Sequence, residues 1–231
     1  MTITFYELAG ATDELRFSPN TWRTRMALAH KGLPHDTELC RFTEKDKIAF
    51  SGQKLVPILC DGETVVCDSW AIACYLEDTY PDRPSLFGCD VGRATTRFLN
   101  VWTNTVLHPA LVRLLLADIH ASLHEMDKDY FRETREKRFG KTLEQVSADK
   151  TGNLDAARAA LAPVDATLAQ QDWLGGDGPA YADYLIFGGF QWARAVSPAA
   201  LAEPGTPLHA WNERMLDLYD GLGRSLPAAT G

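Results

Sequence analysis

Phe17-Ser18-Pro19-Asn20-Thr21-Trp22-Arg23-Thr24 follows an apolar opening run, Ile3 to Leu8, across a short polar connection, and it joins a strand to a helix with a hydroxyl at the joint. The opening run is rich in β-formers and alternates poorly, as a strand buried on both faces does. Ser18 is a good N-cap, and Pro19 occupies the first helical position, where its missing N–H costs nothing. The helix that starts there carries Trp22, Met26 and Ala29 on one stripe and stops at Lys31-Gly32, with Pro34 just beyond. A helix start presents unpaired N–H groups and partial positive charge, so an anion is welcome beside Ser18. Ser18 therefore reads either as a cap alone or as a cap that also meets a ligand.

Working outward, His35 to Phe42 reads as a weak second strand and Thr43 to Gly52 as a charged connection with a short helix. In Gln53-Lys54-Leu55-Val56-Pro57-Ile58-Leu59-Cys60, Pro57 cannot donate to a ladder, which marks an edge or a special peptide bond at the head of a β-run. Val56 is pushed to extended geometry and can offer its N–H and C=O to an extended peptide, docked like an added strand. Asp61-Gly62 turns the chain back through Thr64 to Cys67. Asp68-Ser69 then opens a helix with Ile72, Tyr75, Leu76 and Tyr80 as its apolar stripe, ending at Pro81. A carboxylate beside free helix N–H donors suits a zwitterion, although Asp68 also reads simply as an N-cap.

Pro81 to Gly88 has the composition of a linker, and beyond Asp90 the β signals stop. Phe98, Trp102 and Val106 share one face of a long helix that Pro109 is expected to bend. His120 to Lys150 is densely charged and reads as a solvated helical excursion rather than a binding tract. Leu154 to Leu168 keeps helical spacing across Pro163, Tyr181 to Val196 is apolar all round and therefore central, Leu208 to Leu222 is amphipathic, and Pro227 to Gly231 is expected to fray.

The 231 residues suffice for one large core or two modest ones, and 45% hydrophobic with 23% charged residues is an ordinary globular composition. A formal charge of -8 argues against nucleic acid and anionic membrane surfaces as partners, both of which need basic patches. No run approaches the roughly eighteen apolar residues of a membrane span. The five cysteines, Cys40, Cys60, Cys67, Cys74 and Cys89, lack CxxC spacing, so free thiols, no metal and a cytoplasmic setting are expected.

Taken together, these motifs resemble the cytosolic glutathione transferase superfamily over essentially the whole chain. Val56-Pro57 and Asp68-Ser69 stand where that family holds its cis-proline and its glutamyl-binding acidic/Ser pair. Leu174-Gly175-Gly176, Pro179 and Ala182-Asp183 look like its later motif, with Ala180 in place of the usual capping Ser or Thr. The stretches Ser18 to Thr24, Asp68-Ser69-Trp70, Tyr80 to Pro84, and Tyr130-Phe131-Arg132 to Val146 are similar to the etherase-type members, which cleave β-aryl ethers or conjugate and bind small aromatics. The resemblance implies an α/β thioredoxin-like domain over 1–82, a linker over 83–89 and an all-helical domain over 90–231 that contributes the electrophile site. It further implies glutathione as co-substrate, a small hydrophobic or aromatic second substrate and a homodimer.

On this resemblance Ser18 and Asn20 are the catalytic residues, Lys54, Gln53, Val56, Pro57, Asp68 and Ser69 hold glutathione, and Trp102 and Val106 wall the electrophile cleft. A free thiol is only a few per cent ionised near neutrality, and making it mostly thiolate takes a drop of about two pKa units, roughly 2.7 kcal/mol. A hydroxyl hydrogen bond of ~1.5–3 kcal/mol and a helix start of ~0.3–1 kcal/mol together suffice. No cysteine stands at the first helix start, which disfavours a thiol oxidoreductase. A transferase, and a carrier that binds glutathione or aromatics without turnover, remain as the two readings.

Overall fold

β1 (Ile3–Leu8) is the hub of the first half: Ile3, Phe5 and Glu7 are buried on one face, and on the other Leu8 is buried while Thr4 and Tyr6 are half-buried. The structure, a computed structural model, describes residues 2–229. α1 (Pro19–Lys31) starts at Ser18 and ends at Gly32, whose φ of 62° is the left-handed conformation that favours glycine. β2 (His35–Cys40) runs parallel to β1, from Ile3 opposite His35 to Leu8 opposite Cys40. After a short 3-10 helix at Lys45–Ser51 come β3 (Ile58–Asp61), antiparallel to β1, and β4 (Thr64–Cys67), its hairpin partner. The sheet order is β2-β1-β3-β4. The β-run headed by Pro57 enters the ladder at Ile58, as expected of a residue with no N–H to give, and the Val56-Pro57 peptide is cis. α2 (Ser69–Thr79) completes this half.

The rest is helical: α3 (Asp90–Trp102), α4 (His108–Ala121), α5 (Glu125–Phe139), α6 (Leu143–Val146), α7 (Lys150–Leu168), α8 (Tyr181–Val196) and α9 (Pro207–Gly221). The fold is thus the mixed-sheet half followed by an all-helical half that the sequence implies. Instead of a bend at Pro109, a π turn at Thr103–Leu107 joins α3 to α4, with the His108 N–H reaching back to the Thr103 carbonyl. The wider turn seats a residue that has no N–H to return to the preceding turn. α8 is buried almost throughout, as its all-round apolarity predicts. It passes so close to the start of α1 that a Cβ on Gly188 would lie 2.4 Å from the Pro19 carbonyl oxygen, so only glycine fits there. Ala180 offers no capping oxygen, and Asp183 one turn on accepts the Ala180 N–H instead, at 3.0 Å.

One further expectation is corrected. His120 to Lys150 is not a solvated excursion: Phe131 and Asp127 are buried, and α5 lies against the first half. Dense charge misled because part of it is turned inward with Phe131: Asp127 is buried against Phe42 and Thr43, and Arg135 and Arg138 line a cavity. Of the end expected to fray, Pro227 and Ala228 are exposed, and the Ala229 N–H donates to the Arg194 carbonyl at 2.8 Å; Thr230 and Gly231 lie outside the described residues. Among the described residues no helix is long and apolar enough to cross a membrane.

Candidate active site

Ser18 performs the capping its position predicts: its Oγ accepts the Thr21 N–H at 3.4 Å, and its backbone carbonyl accepts the Trp22 N–H at 3.1 Å and the Thr21 hydroxyl at 3.1 Å. Capping occupies a lone pair and leaves the hydroxyl hydrogen free. That hydrogen has no acceptor among the described residues, and Ser18 lines a cavity of about 320 Å³ between the two halves. The two readings of Ser18 are therefore compatible. Asn20 lines the same cavity, and its amide has no partner among the described residues.

Val56 and Lys54 line the cavity from the other side of the sheet half. No described group pairs with the N–H or C=O of Val56, which leaves a strand-like edge facing the site. Behind it the Asp68 N–H donates to the Pro57 carbonyl at 3.3 Å. Asp68 caps α2 through Oδ1, which accepts the Trp70 and Ala71 N–H groups at 2.9 and 3.1 Å. It does so with a φ of 77°, a conformation unfavourable for a residue with a Cβ. Its second carboxylate oxygen stays free on the exposed side. Ser69 is buried, and its carbonyl accepts the Tyr181 hydroxyl at 2.7 Å, binding the two halves beneath the site. Pro57, Asp68 and Ser69 thus adjoin the cavity without lining it, and Gln53 is exposed on the loop before it.

Trp102 and Val106 are not part of this wall. Trp102 borders an outer depression with Phe98 and Pro163, and Val106 is 43% exposed. The π turn, which contains Val106, interrupts that stripe, and the helix face that does enter the cavity is His108, Val112, Leu116 and Ile119 on α4. That helical spacing of four, four and three residues is present in the sequence. Residues that sequence reading missed complete the wall: Phe42, Phe131, Phe139 and Trp192 supply aromatic surface, and Arg41, Lys45, Arg135 and Arg138 supply charge. Trp192 keeps a buried indole N–H without a partner, and its ring meets His108 edge-on with centroids 5.7 Å apart.

Beneath the wall, Arg23 is 1% exposed and has no carboxylate partner. Its Nη atoms donate to Asn104 Oδ1 at 3.1 Å, and Nη2 lies 3.2 Å from His108 Nε2. A guanidinium only donates, so His108 Nε2 accepts, its proton sits on Nδ1 and the ring is neutral. Burial, followed by the Arg23 charge, pushes the His108 pKa well below its ordinary value, and burial lowers Arg23 to about 10. For a histidine depressed in this way the unfolded chain binds more protons, so stability rises with pH across the window between the folded and unfolded values. Acidification below about pH 6.5 is expected to lower the melting temperature, and His108→Gln, which keeps an acceptor, is expected to flatten that dependence.

Asp127 fixes α5 against the site: its carboxylate accepts the Phe42 and Thr43 N–H groups at 3.0 and 2.9 Å and the Thr43 hydroxyl at 2.7 Å. Asp127→Ala leaves these donors unpaired and is expected to cost about 2 kcal/mol of stability, measured by denaturant unfolding, and to weaken electrophile binding more than tripeptide binding. Cys40 also lines the cavity, but burial pushes its thiol up to about 11, which keeps it protonated and disqualifies it as a nucleophile.

Comparison with known proteins places this geometry. The family model described as "Glutathione S-transferase, N-terminal domain" matches residues 17–79, and "Glutathione S-transferase, C-terminal domain" matches residues 94–216. A glutathione S-transferase-like protein of Aspergillus flavus, ustS, is 23% identical over 91% of this chain and 82% of its own. Among solved structures, a glutathione S-transferase of Ceriporiopsis subvermispora in complex with glutathione superposes with a TM-score of 0.83 at 26% identity, over 100% of both chains. Glutathione transferase GSTFuA2 from Phanerochaete chrysosporium gives 0.78 at 27% identity, over 99% of this chain and 100% of that one.

Proposed function

We propose that this chain, which belongs to the glutathione S-transferase superfamily, binds glutathione against its sheet half and directs the thiolate at a small aromatic electrophile in the cavity between the halves. The observation that carries this reading is the free Ser18 hydroxyl hydrogen at the start of α1, which opens into the same cavity as the unpaired backbone of Val56. Val56 pairs with the cysteinyl unit as an added strand would. The free oxygen of Asp68 takes the glutamyl ammonium, Ser69 takes the glutamyl carboxylate, and Lys54, or Gln53 beside it, takes the glycyl carboxylate. Ser18 donates to the sulfur and holds it ionised, with Asn20 as a second donor. The thiolate then forms a C–S bond at the electrophilic carbon, and the leaving group departs with its electron pair; for an aryl ether the leaving group is an aryl oxide. Support for the etherase-type assignment is that α5, which carries the Tyr130-Phe131-Arg132 stretch, walls the cavity with Phe131 and Phe139.

The same reading divides the chain at 1–82 and 90–231, places it in the cytoplasm, where free cysteines persist, and pairs it with a second copy through the exposed apolar face of α3, on which Phe98 is 74% exposed. The test is turnover: purified protein with glutathione and a chromogenic aryl halide or aryl ether is expected to form the thioether. Tight binding of both ligands without product would replace the enzyme by a carrier.

A further inference from the structure

The cavity wall has a charge that the rest of the chain does not share. Arg41, Lys45, Lys54, Arg135 and Arg138 all line it and no Asp or Glu does, in a chain with 31 acidic and 23 basic residues. Arg41 is paired with Asp13 at 3.0 Å, but Lys45, Lys54, Arg135 and Arg138 make no ion pair among the described residues. Other basic residues of α5 do: Lys128 meets Glu125, and Arg132 meets Glu136 and Glu144. The two basic residues that α5 brings to the cavity, Arg135 and Arg138, are thus both without a carboxylate partner among the described residues.

Arg135 is also held in place. Its guanidinium lies 4.5 Å from the Phe131 ring centroid and 5.2 Å from that of Phe42, and Nη1 donates to Thr134 Oγ1 at 2.9 Å. A guanidinium held over aromatic rings keeps N–H donors for a planar anion. Lys45 is already engaged by the Lys54 carbonyl at 2.6 Å and the Tyr130 ring. In the pose above, glutathione brings one carboxylate to this side, and Lys54 meets it. Arg135 and Arg138 are left over, beside an aromatic wall.

We propose that the electrophile is an aromatic acid, and that Arg135, with Arg138 beside it, holds the carboxylate of that acid against Phe42 and Phe131. This rests on the transferase reading and narrows its substrate class. The test compares para-chloro-meta-nitrobenzoate with its neutral carboxamide, each rate divided by the uncatalysed rate with glutathione. In both, sulfur bonds to the chlorine-bearing carbon, chloride leaves with the C–Cl pair and the thiol proton passes to solvent. The carboxylate is expected to be favoured about tenfold or more in kcat/KM, mainly through KM. Arg135→Met is expected to bring the ratio toward one, and Arg135→Lys to restore part of it.

Equal use of the two compounds, or a ratio untouched by Arg135→Met, would overturn the proposal. So would a matching loss of glutathione affinity in Arg135→Met by calorimetry, which would assign Arg135 to the tripeptide. Should neither compound turn over, the transferase reading fails on its own, and the anion preference is then read from calorimetric binding of meta-nitrobenzoate against meta-nitrobenzamide, in the unaltered protein and in Arg135→Met. Tighter binding of the acid supports the proposal, and equal binding overturns it.

Discussion

Ser18→Ala is expected to raise the pKa of bound glutathione by about one to two units, the value of a hydrogen bond of ~1.5–3 kcal/mol to an ionised sulfur. At neutral pH that is a fall in turnover of about ten- to a hundredfold, and the deficit should shrink as pH rises past the new thiol pKa, since the thiolate then forms without help. Loss of the cap alone costs about 1 kcal/mol of stability and no pKa shift. The two roles of Ser18 separate in a second variant. Ser18→Asp keeps an acceptor for the Thr21 N–H but puts an anion where the donor stood, so it should preserve the melting temperature and abolish activity. Ultraviolet titration of bound thiolate, with thermal melts of the same samples, reads both.

Asp183→Ala is expected to cause the largest loss of stability. The side chain is fully buried, and its two oxygens accept four N–H groups: Leu174 at 2.8 Å, Gly175 at 2.9 Å, Ala180 at 3.0 Å and the Trp211 indole at 2.8 Å. Burial pushes this carboxyl above its ordinary range, against the pull of those donors. Removing it leaves all four without an acceptor in the core of the helical half, at about 3–5 kcal/mol, a large part of the stability of an ordinary domain. Asp183→Asn should fare nearly as badly, because donors approach both oxygens and the amide NH2 of Asn must face one set of them. Denaturant midpoints of the two variants check this; a loss below about 1 kcal/mol in Asp183→Ala would show that water replaces the carboxylate.

The elements that sequence disclosed are those whose signals are local. Ser18-Pro19 and Gly32 delimit α1 by rules of capping, Pro57 announces its own peptide bond, and the all-round apolarity of Tyr181 to Val196 demands a central position. The site divides along the same line. Ser18, Asn20, Lys54 and Val56 sit on elements fixed by local signals, and they meet at the cavity. Trp102 and Val106 were misplaced because the chain leaves the α-helical period at Thr103–Leu107, a π turn that contains Val106 and that spacing alone does not announce. Arg135 and Phe131 were hidden by the charge of α5. What turns that helix inward is the contact of Asp127 with the backbone of Phe42 and Thr43, more than eighty residues earlier in the chain. No window of local sequence contains both partners.

The central claim is that glutathione lies extended along Val56 with its sulfur at the Ser18 hydroxyl. A crystal structure of the glutathione complex measures this directly. The sulfur is expected within hydrogen-bond reach of Ser18 Oγ, with the cysteinyl amide paired to the backbone of Val56. A bound tripeptide with its sulfur turned away from the start of α1, or with Val56 still unpaired, would contradict the account.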